Sequence, residues 1–423
     1  MANRQEQRFP ADPTGTAARR AALRLLDAVL RKGLPLEVAL SVATRELERS
    51  DDRGLAHAIA AEALRRLPDL DALIDGATRQ RLPDDSKARF ALRIALVQAL
   101  ALGTPPHAAI STVLPLVDGG PRRLVHGVFG SLMRGEATLP HPPSLPGPVE
   151  ERWRRAWGDD VAAAAARLIA VPPPIDLIGE PPAGEEGASL MDGHLRLARG
   201  TAVAGITGFG EGRWWVQDIS AAIPARLLGP GEGRRVLDLC AAPGGKTMQL
   251  ASAQFDVTAV DASDERLQRL RENLARTGLR AEIVTADVMA WSPEAPADAV
   301  LLDAPCSATG IYRRHPDVLH RVRPKAIAAL AEAQQAMLTR AASWLKPGGT
   351  LIYSVCSLEP EEGEAVARAF LAAHPDCALA PIVPAELPAG LHPAAEGWLR
   401  ILPGAYEAQG GADSFFIARI RRR

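Results

Sequence analysis

The sequence predicts a multidomain protein with an all-α bundle, a small α+β connector and a doubly wound, mainly parallel α/β domain. Three observations support this fold class. Apolar residues recur at helical spacing from Thr16 to about Ala137, five prolines lie between Leu139 and Pro148, and apolar strands alternate with helices from Arg235 onward. At 423 residues the chain also exceeds the roughly 250 to 300 residues that one hydrophobic core supports. The expected divisions are a first domain at 1–138, a linker at 139–148, a connector at 149–230 and a last domain at 231–423.

The first domain is predicted to be a helical bundle. Leu23, Leu26 and Leu30 follow one another at spacings of three and four, which places them on one face of a helix. The beginning of this domain is rich in basic side chains, which suits either a solvated helix face or a face that contacts RNA, and the sequence leaves both alternatives open. These residues are Arg4, Arg8, Arg19, Arg20, Arg24, Arg31 and Lys32.

The connector follows a proline-rich segment that cannot continue a helix and is typical of a stiff linker. A helix is predicted from about Val149 to Ala170, where Trp153 and Trp157 lie one turn apart. Core packing explains this pair of rings better than a platform for stacking bases. We interpret Pro172 to Gly187 as a loop and Ser189 to Val216 as a small strand-containing subdomain, because glycines separate its short apolar stretches.

The last domain alternates strands and helices, as a parallel sheet with crossover helices requires. A closing antiparallel hairpin is expected at Trp398 to Leu402 and Ser414 to Ile420. The predicted strands are Val236 to Leu239, Val257 to Asp261, Ala281 to Thr285, Ala299 to Asp303 and Thr350 to Val355. The predicted helices are Thr247 to Ala253, Asp264 to Arg276, Lys325 to Leu345 and Glu361 to His374.

Composition limits the class of protein only loosely. The chain has 49 Lys and Arg against 50 Asp and Glu, so its net charge predicts neither nucleic acid nor an acidic partner, and any basic surface must be local. The first thirty residues lack an apolar core behind a charged start, and no stretch reaches about 18 consecutive apolar residues. We therefore expect no secretory signal and no membrane span, with the cytoplasm as the simplest location.

The chain contains four cysteines. They include no C-x-x-C pair and have no histidine at zinc-ligand spacing, so we predict no metal site. We also expect no disulfide scaffold in so long a chain with so few cysteines. They are Cys240, Cys306, Cys356 and Cys377.

The stretch from Val236 to Thr247, V-L-D-L-C-A-A-P-G-G-K-T, reads as a strand, a tight glycine turn and a helix. Ligands of open α/β sheets bind at such turns, because glycine lets the backbone approach closely. A Walker A loop would need glycine where the chain has Cys240, and Pro243 lacks the N–H of a phosphate cradle. A turn that merely joins a strand to a helix remains the other alternative. The residues that follow favour a nucleotide-type pocket.

Acidic residues end the next two strands. Asp261 lies about 20 positions beyond the glycine turn, where such folds bind ribose hydroxyls. Asp287 ends the third strand in the same way and is placed to meet an adenine amino group. The spacing therefore predicts an adenosine-containing ligand.

The fourth and fifth strands end in thiols. The fourth is followed by Asp303-Ala304-Pro305-Cys306, and the fifth runs into Ser354-Val355-Cys356-Ser357. Neighbouring strand ends should bring Cys306 and Cys356 together although 50 residues separate them. A single cysteine of this kind is usually a small buried hydrophobe, but two beside an aspartate are better explained by chemistry. A basic loop follows the first thiol and contains Arg313, Arg314, His315, His320, Arg321, Arg323 and Lys325, opposed by Asp317.

These motifs resemble the RNA 5-methylcytosine methyltransferases of the RsmB (Sun, Fmu) group, related to the Nop2 and NSUN enzymes. The front half also resembles the NusB-like RNA-binding domain of that group, through Thr104 to Ala109 and Val125 to Phe129. The matching motifs of the last domain are L-D-L-C-A-A-P-G-G-K-T at 237–247, V-D-A-S at 260–263, D-A-P-C-S-A-T-G at 303–310, S-V-C-S at 354–357 and F-F-I-A-R at 415–419.

The resemblance implies a class I, Rossmann-like methyltransferase domain that uses S-adenosylmethionine. It implies that Asp261 holds the ribose, that Asp287 lies near the adenine, and that Asp303 lines the pocket between cofactor and base. Cys356 would be the nucleophile and Cys306 the thiol that helps to release the product, a ranking that residue chemistry alone does not provide. The remaining cofactor-binding positions are Cys240, Ala241, Ala242, Pro243, Gly244, Gly245 and Lys246. The expected partner is ribosomal RNA of the small subunit, bound by a monomer, with tRNA as an alternative substrate.

The chemistry explains why a thiol is needed. C5 of cytosine is a poor nucleophile, and a thiolate that adds to C6 turns it into an enamine carbon. We expect the bound sulfonium and the basic loop to favour the thiolate by lowering its pKa.

The chain departs from the family after Pro173-Pro174, where an Arg and an Asn are usual and this sequence has Ile175-Asp176-Leu177-Ile178-Gly179. This departure puts in doubt any RNA contact made there.

Two other functions compete with this hypothesis. A DNA cytosine methyltransferase would use a Pro-Cys thiol, here Cys306, as its nucleophile, but the second thiol and the helical front domain argue against it. A non-catalytic RNA-binding assembly factor with a vestigial cofactor fold is the other, and the intact aspartates and thiols argue against such decay.

Overall fold

The computed structural model describes residues 13–182 and 184–423, and the predicted basic residues Arg4 and Arg8 lie outside this part. The described chain divides into two compact units. One contains the residues up to Val149 together with the later segment His315–Arg321. The other contains Glu150–Arg314 and Val322–Arg423.

The described residues of the first unit form a helical bundle, as predicted. Its core contains fully buried Leu25, Ile59 and Leu92, so packing of the apolar faces stabilises the helices. Ser86 caps one helix by accepting a hydrogen bond from the Arg89 N–H at 3.3 Å. The helices are Thr16–Leu30, Leu36–Ala43, Ser50–Arg65, Leu67–Ala77, Lys87–Leu100, Pro106–Val113, Gly119–Arg134 and the short Val318–Arg321.

Some of the predicted basic residues have partners inside this bundle. Arg19 is buried, and its Nε donates to the side chain of Gln98 at 2.7 Å. Arg24 donates to Glu46 at 3.0 Å on the surface. At least these two arginines therefore support the bundle itself.

Two helices, Gly147–Trp157 and Asp159–Ala170, follow the proline-rich segment, where the sequence predicted one. The prediction was wrong at Gly158, whose φ of +90° breaks the helix in a conformation that glycine tolerates. Trp153 is fully buried and its N–H donates to Glu359 at 3.2 Å. Core packing of this ring is confirmed.

A small antiparallel sheet follows, formed by β1 (Ile175–Gly179), β2 (His194–Leu197) and β3 (Trp214–Val216) in the order β2-β1-β3. The interpretation of Pro172 to Gly187 as a loop was wrong, because β1 lies inside it. Flanking prolines and glycines concealed a short apolar run whose Leu177 and Ile178 are buried. Strands β2 and β3 lie in the predicted strand-containing region.

The main sheet has the order β10-β11-β8-β7-β4-β5-β6, with β9 paired to β11. Strands β8, β7, β4, β5 and β6 are parallel and β11 is antiparallel. The doubly wound, class I arrangement that we expected is confirmed. Its strands are β4 (Arg235–Leu239), β5 (Asp256–Asp261), β6 (Glu282–Thr285), β7 (Ala297–Asp303), β8 (Leu345–Val355), β9 (Cys377–Leu379), β10 (Leu399–Ile401) and β11 (Phe415–Arg422).

The helices of this unit pack against the main sheet, and the largest difference from a predicted boundary is at the start of β8. Strand β8 begins at Leu345, five residues before the expected Thr350, and the preceding helix ends at Ser343. The helices are Ile219–Arg226, Gly245–Ser252, Asp264–Thr277, Pro324–Ser343 and Glu364–Ala373. None of the helices in the described ranges has the length and apolar character needed to span a bilayer.

Candidate active site

The glycine turn lies at the carboxyl end of β4, the central strand where the winding direction of the sheet reverses. The chain turns sharply at Cys240, whose φ is +60°, and enters the helix Gly245–Ser252 through Gly244, whose φ is +107°. A Cβ on Gly244 would lie 2.2 Å from Leu270 Cδ1. Glycine is therefore needed where the turn packs against the next helix.

A cavity of about 410 Å³ lies against this turn. It brings the predicted cofactor-binding residues together with side chains of β3 and its following loop. Its lining includes the predicted Cys240, Ala241, Ala242, Pro243, Gly245, Lys246 and Asp303. It also includes Trp215, Gln217, Asp218, Asp238 and Arg314, which the sequence analysis did not select as cofactor ligands.

The other two predicted acidic residues, Asp261 and Asp287, are not among the residues that line this cavity. Asp261 is buried beside the turn, where its carboxylate accepts hydrogen bonds from the Ala242 N–H at 3.1 Å and the Ser263 N–H at 2.9 Å. Asp287 is exposed after β6 and accepts from the Met289 N–H at 2.8 Å. The structure therefore joins Asp261 to the glycine turn and leaves Asp287 on a neighbouring loop.

Asp238 in β4 is a residue that the sequence analysis missed. It is fully buried, and one oxygen accepts from the Thr247 hydroxyl at 2.6 Å. The other oxygen, Oδ1, has no hydrogen-bond partner among the described residues. The available signal was an aspartate inside an otherwise apolar strand, since such a carboxylate is costly to bury unless it meets a donor.

Replacing Asp238 with asparagine is expected to raise stability at high pH. Burial raises the pKa of Asp238 to about 7, so between about pH 4 and pH 7 the folded protein binds a proton that the unfolded chain has lost. The carboxyl group therefore favours folding most below this window and least above it. Asparagine has no charge to desolvate and keeps an acceptor for Thr247. Thermal melts should show a Tm increase of roughly 5 °C at pH 8 that shrinks toward pH 5, and a constant difference would contradict this explanation.

The two predicted thiols meet at the same sheet edge. Cys306 follows β7 and Cys356 follows β8, and their Sγ atoms are 3.5 Å apart. The hydrogen bond to Cys356 and burial raise the pKa of the Cys306 thiol. Desolvation and the neighbouring sulfur therefore oppose ionisation of Cys306, whereas the expected lowering of a thiol pKa concerned the nucleophile and stays a prediction.

Asp303 lies at the end of β7 between two donors. The Lys246 ammonium is 2.8 Å from its Oδ2, and the Ser354 hydroxyl donates to its Oδ1 at 2.8 Å. The ammonium also lies 5.4 Å from the centre of the Phe415 ring. Lys246, in the first turn of the helix Gly245–Ser252, thus links Asp303 at the end of β7 to Phe415 at the start of β11.

The predicted basic loop is not a uniformly basic surface. Arg313 is buried, and Arg314 is bound by the carboxylate of Asp413, which lies 99 residues later. His320 contacts the Leu64 carbonyl at 2.7 Å within the first unit, and burial lowers its pKa to about 4, so the ring is neutral. Distant acidic and carbonyl groups therefore bind several of these side chains, and the expected effect of the loop on the thiolate stays a prediction. Arg314 is the member that reaches the cavity.

The strand order, the glycine turn after the central strand and the paired thiols define a Rossmann-like methyltransferase. A family model described as "16S rRNA methyltransferase RsmB/F" matches residues 225–421, and the NusB family model matches residues 16–126. The chain belongs to the RsmB/F family and is an RNA methyltransferase.

Individual relatives agree with this assignment. The chain is 34% identical to "Ribosomal RNA small subunit methyltransferase B" of Klebsiella pneumoniae subsp. pneumoniae, over 96% of this chain and 98% of the relative. It is 35% identical to the protein of the same name from Xylella fastidiosa, with the same two coverages. A solved structure of a methyltransferase homolog protein from Pyrococcus horikoshii has a TM-score of 0.53 and 26% identity, over 64% of this chain and 94% of that one.

Proposed function

We propose that this enzyme transfers a methyl group from S-adenosylmethionine to C5 of a cytosine in small-subunit ribosomal RNA, through a covalent adduct between Cys356 and C6. One observation carries the proposal: two thiols 3.5 Å apart at the edge of the sheet where Asp303 enters the cavity. Relatives that match nearly the whole chain are named for small-subunit ribosomal RNA, which supports this substrate over tRNA. We further propose that the enzyme acts as a monomer in the cytoplasm.

The residues at the glycine turn fit the cofactor. S-Adenosylmethionine would supply an electrophilic methyl group and carries an ammonium that can donate hydrogen bonds. The unpartnered Oδ1 of Asp238, beside a turn with Gly244 and Gly245, offers an acceptor next to backbone that a ligand can approach closely. We assign the remaining contacts to Cys240 through Lys246, with Asp261 toward the ribose and Asp287 toward the adenine.

The two thiols and Asp303 have different roles in the reaction at the base. The Cys356 thiolate adds to C6, which gives C5 the electron density that methylation requires. Asp303, held by Lys246 and Ser354, faces the N3 and amino side of the ring and stabilises the charge that develops there. A base, here solvent water, then takes the C5 proton, and its C–H electrons restore the C5–C6 double bond as the C6–S bond breaks. Cys306, as a thiol, assists this release by donating a hydrogen bond to the departing Cys356 sulfur.

The product of the reaction tests this proposal. Purified enzyme is incubated with methyl-labelled S-adenosylmethionine and unmodified small-subunit ribosomal RNA, the RNA is digested, and the nucleosides are separated. Label should be found in 5-methylcytidine, and bisulfite sequencing should place it at a defined position. Label in any other nucleoside would contradict the proposal.

Replacing Asp303 with asparagine is expected to lower kcat by about 10²- to 10³-fold, because an amide stabilises the developing charge on the base less well. Asp298→Asn is a matched control, since Asp298 lies on the same strand and forms its own pair with Lys346 at 2.7 Å. We expect the control to retain kcat within about twofold. Equal losses in both variants would show that a general effect on β7 is responsible.

A further inference from the structure

A single buried carboxylate connects the two loops that carry the thiols. Glu362 is fully buried, and its Oε1 accepts a hydrogen bond from the Ser307 N–H at 2.8 Å. Its Oε2 accepts from the Ser357 hydroxyl at 2.5 Å and also from the Ser307 hydroxyl. Ser307 directly follows Cys306 and Ser357 directly follows Cys356. Each thiol is therefore one residue away from a group that the same carboxylate holds.

Gln334 and Tyr353 hold Glu362 in place through hydrogen bonds. Gln334 donates to its Oε1 at 3.1 Å and to the Pro305 carbonyl at 2.8 Å. The Tyr353 hydroxyl, from β8, donates to the backbone carbonyl of Glu362 at 2.5 Å. Side chains of the helix Pro324–Ser343 and of β8 thus hold Glu362, which in turn holds the two loops that carry the thiols.

The charge of Glu362 has no cationic partner among the described residues. The basic groups packed nearby are engaged elsewhere: Arg400 forms a bidentate pair with Glu364, and Arg152 pairs with Glu359. Its own partners are hydroxyl, amide and peptide donors, which are neutral. Burying a carboxylate without a counter-charge is unfavourable for folding, and a neutral side chain could have joined the loops at lower cost.

The two thiols experience different electrostatic surroundings. The negative charge of Glu362 contributes to the raised pKa of Cys306, after the bond to Cys356 and burial. The pKa of the Arg314 guanidinium is raised, against desolvation, by Asp413 and Asp218 first, and Cys356 makes a smaller contribution. Glu362 therefore acts on Cys306, whereas the nearby cation Arg314 is paired mainly with Asp413.

We propose that Glu362 is a positioning residue, which fixes the spacing of the two thiols and keeps Cys306 protonated so that its S–H donates to the Cys356 thiolate. The 3.5 Å between the sulfurs is a suitable separation for this bond. This inference builds on the proposed function, because it explains how one of two adjacent thiols becomes the nucleophile. Glu362 is fully buried and does not line the cavity, so we infer that it acts through the loops.

Cysteine alkylation tests the inference without RNA, so its outcome does not depend on the methylation assay. The full-length enzyme and its Glu362→Gln variant are treated with iodoacetamide between pH 6 and pH 9, and the modified Cys306 and Cys356 peptides are quantified by mass spectrometry. In the parent, Cys356 should react in preference to Cys306. In the glutamine variant this preference should fall about tenfold, the change that one pKa unit produces. Glu361→Gln is the matched control, because Glu361 is the exposed neighbour.

Three outcomes would overturn the inference: an alkylation preference unchanged within twofold in Glu362→Gln, an equal change in Glu361→Gln, or a parent that favours Cys306. If the glutamine variant does not fold, Glu362→Asp replaces it. This variant keeps the charge but withdraws it from Ser307 and Ser357. It should retain the preference for Cys356 within about threefold while kcat falls at least about tenfold. Loss of the preference in the aspartate variant would also overturn the inference.

Discussion

Replacing Cys356 with serine is expected to reduce methyl transfer by at least about 10⁴-fold, the largest effect of any single substitution in this enzyme. A serine hydroxyl is almost the same size as a thiol but is hardly ionised at neutral pH, so it cannot add to C6 of the base. The side chain lies at the end of β8 and is only partly buried, so the fold should tolerate the change. Label transfer to RNA under single-turnover conditions measures the effect.

Cys377→Ser is the control for this experiment. Cys377 is a buried thiol in β9 that belongs to the hydrophobic core and has no role in the proposed chemistry. We expect this variant to lose some stability but to keep its turnover number. A Cys356→Ser enzyme that works at the parental rate would exclude the adduct mechanism.

Replacing Cys306 with alanine is expected to trap the enzyme on its RNA. Without this thiol the adduct should still form at Cys356, but loss of the C5 proton and release of the sulfur should slow by about 10²- to 10⁴-fold, the usual contribution of a positioned acid or base. A protein–RNA band that survives denaturing electrophoresis should therefore accumulate in the presence of S-adenosylmethionine.

The double variant Cys306→Ala, Cys356→Ser separates the competing mechanisms. It should form no band if Cys356 is the nucleophile. In the scheme of DNA cytosine methyltransferases the single Cys306→Ala variant would form no adduct, and Cys356→Ser would remain active. A protein that only assists RNA assembly would show no binding of S-adenosylmethionine by calorimetry.

The strands of the last domain were predictable because each parallel strand is buried and reads as a short apolar run. The same rule located both thiols, since Cys306 and Cys356 follow neighbouring strands. Strand β1 was missed because its buried residues are few and lie between prolines and glycines. The local composition there favours a loop, whereas burial of the side chains in the folded protein favours a strand, and burial determines the structure.

The support beneath the thiols could not have been predicted. Glu362 lies in the predicted helix Glu361 to His374 and belongs to an acidic run from Glu359 to Glu364, a composition typical of an exposed surface, yet it is fully buried. Its partners come from positions up to 55 residues away, so only the fold shows that they meet. The partners of the basic loop could not be predicted for the same reason, because Asp413 binds Arg314 across 99 residues.

The segment His315–Arg321 has a consequence for anyone who wishes to divide this enzyme. It belongs to the helical unit, and its Val318 and Leu319 are buried, although the chain on both sides belongs to the other unit. A cut in the proline-rich linker would separate the helical piece from this segment of its own unit and would put Val318 and Leu319, which are buried in the intact chain, on the other piece. Domain exchange between relatives should therefore carry this segment with the helices, and fragments made by simple truncation are expected to aggregate.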